Sequence, residues 1–346
     1  MRILFISGGY KEKNHFVKLA FKDMQDVDLV ETYRWVEEVS YYNDRRSFIE
    51  KVFEKLRIPL DFSHSNRRIL EKLNEYDFDI IFVIKGNHIY PSTIRKIKSI
   101  QPKSILINWS LDDMFAKHNR SVFYSKNLPL FDLVITTKSY NCLPDELPSL
   151  GAKKILFQNN SFYNYSFFQD LQRPNSFLYD ICFVGTAELQ RFHSLNFLAK
   201  HGYKVKIFGS SWDKKIYRNH EDNLSIEYRN LDQREYFETI INSKISLCFL
   251  RKLNRDLQTL RTVEIPSVGG FMLAERTLEH TSMFVEDDEA VFFGDDNELL
   301  QKVKKYLTDD QIREKIAKKG MLKSHAKFQL RKRLREIINM SISLKD

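Results

Sequence analysis

The chain has 346 residues, 42% hydrophobic and 29% charged, with a formal net charge of +9. That composition excludes a disordered chain and suffices for two cores of ordinary domain size. No apolar run approaches the ~20 residues of a membrane span, the N-terminal run is too short for a signal peptide, and the positive balance points to an anionic partner: nucleotide, phospholipid surface or nucleic acid.

In chain order, the pattern predicts a strand at Ile3–Ser7 ending in the turn Gly8-Gly9, a helix over His15 to Met24 and a strand at Val27–Val30. Ser47 to Leu56 is an amphipathic helix with a Ser cap, and Ser65 to Tyr76 is another. Asp79–Ile84 is a buried strand, Pro91 to Ile100 a helix, and Ser104–Asn108 and Leu133–Thr136 are further strands. The second half repeats the scheme with strands at Ile181–Val184, Val205–Phe208, Ser225–Tyr228, Ile245–Leu250, Phe271–Ala274 and Ala290–Phe293. Strands separated by helices imply right-handed crossovers and parallel sheets, hence an α/β fold.

The polar-aromatic stretch Asn159 to Ser176 reads as a linker between two doubly wound domains, 1–168 and 177–325. Ligands of such sheets bind outside the strand C-termini, so a central cleft lined by both domains is expected. Residues 326–346 read as a basic C-terminal helix. From Arg313 to Arg335 the chain holds ten Lys or Arg and one Glu, either a solvated face or a dock for an anionic membrane or nucleic acid. Cys142, Cys182 and Cys248 are odd in number and far apart, so core thiols and a cytoplasmic setting are expected, with a peripheral position at the inner membrane face also open.

The most informative stretch is Asp256 to Ala274. It predicts a short helix capped by Thr262 with Pro266 in its first turn, stopped by Gly269-Gly270 and followed by a buried strand. Arg261 then sits where free N–H groups attract anions, and Glu264 can accept hydrogen bonds from a ribose diol. The alternative is a surface Arg and Glu on an ordinary helix. Upstream, Gly185-Thr186 follows a strand and precedes a helix carrying Arg191, and small residues there let a pyrophosphate approach the backbone.

The run Arg-Thr-Val-Glu-Ile-Pro…Gly-Gly-Phe-Met-Leu, with Asp180-Ile181-Cys182-Phe183-Val184-Gly185-Thr186, Arg191 and Val205-Lys206-Ile207-Phe208-Gly209-Ser210-Ser211-Trp212, resembles CgeB-like glycosyltransferases of the spore-maturation group. The layout is also similar to phage DNA glucosyltransferases. The resemblance implies a GT-B fold of two Rossmann-like domains, a UDP-type nucleotide-sugar donor bound by the second, and a C-terminal helix that crosses back to the first. It implies donor contacts from Gly185, Thr186, Arg191, Gly209, Asp256, Arg261, Thr262 and Glu264, although Asp256 stands where such enzymes usually carry Glu; Arg251, at the end of the strand Ile245–Leu250, is a third candidate cation for the phosphates.

On the first-domain side, Trp109-Ser110-Leu111-Asp112-Asp113 follows a strand, and either Asp112 or Asp113 can serve as general base or as an Asx-type cap. His88 after Lys85-Gly86-Asn87 is a candidate contact to donor phosphate or sugar, and Gly8-Gly9 can let acceptor or donor approach. The triplets Asp26-Val27-Asp28 and Asp77-Phe78-Asp79 lie at strand starts, the wrong edge for a ligand, so no metal site and no cofactor beyond the nucleotide-sugar co-substrate are expected. The expected function is sugar transfer to an acceptor hydroxyl of a cell-surface glycan or lipid-linked precursor. A hydroxylated DNA base is the second acceptor, and a binding protein without turnover the third reading.

Overall fold

The computed structural model describes residues 1–8, 15–34 and 48–343, and the chain divides into two compact units. Unit one comprises Met1–Asn159 and Leu330–Asp346; unit two comprises Asn160–Gln329. Of the sequence expectations, Gly9 and Ser47 lie outside the described residues.

Unit one contains β1 (Arg2–Gly8), β2 (Asp28–Arg34), β3 (Ile80–Ile84), β4 (Ile105–Ser110), β5 (Leu133–Thr136) and β6 (Ile155–Phe157). They form one parallel sheet in the order β2-β1-β3-β4-β5-β6. Around it run α1 (His15–Lys22), α2 (Phe48–Lys55), α3 (Ser65–Glu75), α4 (Pro91–Ile100) and α5 (Val122–Asn127). Every residue of β3 is buried, as expected of an inner parallel strand covered on both faces. The strand order reverses between β1 and β3, so the turns after those strands flank a crevice where such sheets take ligands.

The opposite edge is closed by charge. Arg2 donates its backbone N–H to Asp79 and pairs with Asp28 at 2.6 Å, which places both Asp-x-Asp triplets at strand entries.

Unit two contains β7 (Tyr179–Val184), β8 (Val205–Phe208), β9 (Leu224–Glu227), β10 (Ser243–Cys248), β11 (Met272–Glu275) and β12 (Val291–Phe293). Its parallel order is β12-β11-β10-β7-β8-β9, the arrangement of dinucleotide-binding folds, with the reversal between β7 and β10. The helices are α6 (Leu189–Lys200), α7 (Gln233–Ile241), α8 (Arg261–Ser267), α9 (Leu278–Met283), α10 (Asp296–Thr308) and α11 (Asp310–Lys327). Alternation along the strands feeds two cores. Leu247, Phe249 and Leu273 join Phe183, Trp212 and Tyr306, whereas Cys248, Met272 and Ala274 join Phe237, Val263 and Phe292.

The stretch expected as a linker is not a free one. Tyr165, Phe167 and Phe168 pack around Phe237 of α7, with the Phe168 and Phe237 rings 4.6 Å apart. Burying those aromatic rings outweighs the missing periodicity, and the unit boundary falls at Asn160 rather than after residue 168.

The basic run is divided as well. Arg313 in α11 is buried, donates to the carbonyl of Tyr306 at 2.6 Å and pairs with Asp310. Lys319 and Lys323 pair with Asp288 and Glu289. The last helix, α12 (Leu330–Ile342), is part of unit one, where Arg335 pairs with Asp26. Lys315, Lys318, Arg331 and Lys332 remain exposed. No helix among the described residues is long and apolar enough to cross a membrane.

Candidate functional site

The reversal in unit two lies between β7 and β10, and the residues after those two strands converge. Gly185 follows β7 directly, and its N–H donates to the carbonyl of Phe208 at 2.9 Å. A Cβ at Gly185 would sit 2.8 Å from the Phe183 ring and 3.3 Å from Nη1 of Arg261, so only glycine fits against both. Arg261 opens α8 and donates through Nη2 to the carbonyl of Phe249, just past β10, at 3.0 Å. Arg191 in α6 is 4% exposed and donates through Nη1 to the carbonyl of Thr186 at 2.9 Å.

Both guanidiniums lie against the Phe183 ring, their central carbons 5.7 Å (Arg191) and 5.5 Å (Arg261) from its centroid. Burial, and then the neighbouring Arg261, pull the Arg191 guanidinium down to about 10. Glu188 supplies its nearest counter-charge at 3.6 Å and also pairs with half-exposed Arg251 at 3.1 Å. Two like charges held around one ring form a site that gains from an anion, since hydrogen bonds to charged groups contribute about 1.5–3 kcal/mol.

Glu264 lies one turn along α8 from Arg261, partly buried. It accepts from the Tyr236 hydroxyl at 3.0 Å, and burial raises its carboxyl above the usual carboxylate range despite that bond and Arg261. A carboxylate so placed retains acceptor capacity for a diol.

Other expected site residues have different surroundings. Thr262 is not the helix cap: it is fully buried inside α8, accepts from the Thr259 N–H at 3.0 Å and bonds Nε2 of His280 at 2.8 Å, so its hydroxyl is spent inside the fold rather than on a donor. Pro266 lies inside the helix rather than in its first turn. Gly209, with φ +153°, would bring a Cβ to 2.0 Å from the Gly185 carbonyl oxygen. Its role is therefore to let β8 close against the Gly185 turn, which Trp212 Nε1 also holds at 2.8 Å. Thr186 is exposed, its hydroxyl 3.3 Å from that of Ser210. Asp256 accepts from Asn254 at 2.7 Å.

In unit one the two acids separate. Asp113 is completely buried and accepts from the N–H groups of Phe115 and Ala116 and from Asn141 Nδ2 at 2.9 Å. It is the Asx-type cap of its loop, and burial removes it as a base. Asp112 is accessible and pairs with Lys85 Nζ at 2.7 Å. His88 is buried, at 3% exposure. Gly8 ends β1.

Sequence reasoning missed Phe183, Glu188 and Tyr236. Glu188 precedes Arg191 at i,i+3, a spacing that pairs opposite charges on a helix and marks it in retrospect. Tyr236 comes from α7 and carries no local signal.

Residues 191–339 match a family model described as glycosyl transferase-like, a span that holds Arg191, Arg261 and Glu264. Among solved structures, the chain is similar to sucrose-phosphate synthase from Thermosynechococcus elongatus, with TM-score 0.63, 11% identity, and coverage of 99% of each chain. It is also similar to Anabaena HepE in complex with UDP, with TM-score 0.60, 13% identity, and coverage of 98% of this chain and 100% of that one. The N-terminal domain of Candida albicans trehalose-6-phosphate phosphatase gives TM-score 0.68 at 7% identity over 100% and 97% of the two chains. No curated protein matches in sequence. The structural likenesses show the fold, GT-B. With the glycosyl transferase-like match over residues 191–339, which runs from α6 into α12, the fold defines the class: a GT-B glycosyltransferase.

Proposed function

We propose that the chain moves a sugar from a nucleotide-diphosphate sugar to an acceptor hydroxyl, with the donor held by unit two. The observation that carries this reading is the gathering of Arg191 and Arg261 on Phe183 beside Gly185. The diphosphate would lie on the Gly185–Thr186 turn. Arg261, only partly buried, would neutralise it, while Arg191 braces the turn from behind. Glu264, steadied by Tyr236, would take the ribose diol. Charge grows on the diphosphate as it leaves, so preorganised guanidiniums act most strongly in the transition state. The UDP and UDP-glucose complexes of HepE support a nucleotide-sugar donor.

Asp112 is the proposed general base, and a cell-surface glycan or lipid-linked precursor the proposed acceptor. The finer kinship, to CgeB-like enzymes, rests on the sequence motifs alone. A thermal-shift screen of nucleoside diphosphates and their sugars, followed by mass spectrometry of products, tests the reading. Stabilisation by a nucleotide sugar and a product heavier by one glycosyl unit are expected, with turnover persisting in EDTA. Absence of both stabilisation and product would overturn it.

A further inference from the structure

We propose that unit one carries a binding site for the phosphate group of an anionic acceptor, built from Arg57, Lys117 and Arg120 beside the Lys85–Asp112 pair. The inference rests on the transfer reading above and adds the acceptor's chemical class.

Three segments meet at the C-terminal edge of the first sheet. The turn after β3 is stitched to the loop after β4 by Asn87, which donates to the Asn119 carbonyl at 2.8 Å and accepts from the Ser121 N–H at 3.0 Å. The turn after α2 joins them: the Arg57 carbonyl accepts from the Val122 N–H at 3.0 Å, and Arg57 Nη1 donates to the Lys117 carbonyl at 3.4 Å. Arg120 donates through Nη1 to the carbonyls of Met114 and Phe115 and lies over the Phe115 ring.

Each guanidinium thus spends one nitrogen on main-chain oxygen. Neither forms an ion pair among the described residues, and Arg120 Nε is buried without a hydrogen-bond partner. Asp113 and Glu146 offset the burial and mutual repulsion of these cations only in part. Asp113 is turned inward as a cap, and Glu146 is buried against Asn141. Asp112 is matched to Lys85. Burial, with Arg57 beside it, lowers the Arg120 guanidinium, the behaviour of a cation awaiting a counter-ion.

Two of the cations sit on backbone that ordinary residues avoid: Arg57 has φ 57° and Lys85 φ 58°. Left-handed geometry at non-glycine positions clusters where a chain must present particular groups. The place is also apt. Lys85 follows β3 at the reversal of the sheet, and Asp112, the proposed base, stands on the same loop as Lys117 and Arg120. Planar forks of N–H donors match phosphate oxygens, so a phosphate-bearing acceptor anchored here would bring its hydroxyls to the loop that carries the base.

Calorimetry with inorganic phosphate, glucose 6-phosphate and glucose, each with and without saturating UDP, tests the proposal. Glucose 6-phosphate and phosphate should bind with UDP present, glucose at least tenfold more weakly. Arg57→Gln and Arg120→Gln should each weaken phosphate binding about tenfold while UDP affinity stays unchanged. Lys117→Gln, at an exposed position, should weaken it severalfold without touching the fold. Equal binding of glucose and glucose 6-phosphate, or phosphate affinity indifferent to all three substitutions, would overturn the inference. So would a short DNA duplex that binds through these residues when glucose 6-phosphate does not. Failure of UDP itself to bind would instead count against the donor reading, since the phosphate measurements without UDP stand apart from it.

Discussion

Arg191 and Arg261 belong to different helices, yet both guanidiniums rest on the ring of Phe183, 5.7 and 5.5 Å from its centroid. Because β7 and β10 are neighbours at the reversal of the sheet, α6 after one and α8 after the other start from adjacent strand ends. The two cations are brought together by topology, and their mutual repulsion is relieved only in part by Glu188.

Arg261→Gln should weaken UDP binding by roughly 10- to 100-fold, the equivalent of one charge-assisted hydrogen bond lost at about 1.5–3 kcal/mol. Arg191→Gln should have a different signature, because Arg191 supports the Gly185–Thr186 turn from a buried position. It should lower both UDP affinity and the melting temperature. Titration calorimetry paired with thermal melts separates the two, and an Arg261 variant with unaltered affinity would refute its role.

Glu264→Gln should bind nucleotide more weakly yet melt higher at neutral pH. Burial raises the folded-state carboxyl above its ordinary 4.5. The folded protein therefore holds a proton the unfolded chain releases, so this contribution is fully present below pH 4.5 and is lost as pH rises through the raised value. Glutamine cannot ionise and removes that loss. Melting curves from pH 4 to 8 should show the variant gaining on the wild type as pH rises; a variant that falls behind at pH 7 would contradict this.

Asp112→Asn and Asp113→Asn should fail in different ways. The first should abolish transfer and spare both UDP binding and the fold, since Asp112 is accessible and its ion pair with Lys85 is partly exposed. The second should destabilise the first unit by about 1–3 kcal/mol, the cost of disturbing a buried acceptor. Single-turnover assays beside denaturant melts distinguish them. If Asp112 is the base, product NMR should show an anomeric configuration opposite to the donor's, and retention would rule it out.

His280 should make the second unit acid-sensitive. Its Nδ1 faces the Glu275 carbonyl at 2.6 Å and so donates, leaving Nε2 to accept from the Thr262 hydroxyl at 2.8 Å. Burial pulls this imidazole from 6.5 down to about 4. A depressed value means stability is fully present above pH 6.5 and is lost as pH falls towards 4, by roughly 3 kcal/mol in all. His280→Gln, which can keep a donor and an acceptor, should flatten that slope in urea melts at pH 4 to 7. An unchanged slope would show that another group drives it.

The sequence alone determined the α/β alternation and two parallel sheets, because buried strands such as Ile80–Ile84 and their flanking helices carry a local apolar period. It also located the Gly269-Gly270 stop and the strand after it, since positive φ at Gly269 is a local steric need. What it left open depended on groups far apart in the chain. Neighbours Asp112 and Asp113 read alike, but one meets Lys85 and the other Asn141, and partners so far along the chain separate an accessible acid from a buried one. Thr262 has the chemistry of a cap, yet His280 claims its hydroxyl inside the core. The convergence of Arg191 with Arg261, and of Tyr236 with Glu264, was decided by strand order, for burial and hydrogen bonding depend on which elements pack together, and no local window of sequence contains both partners.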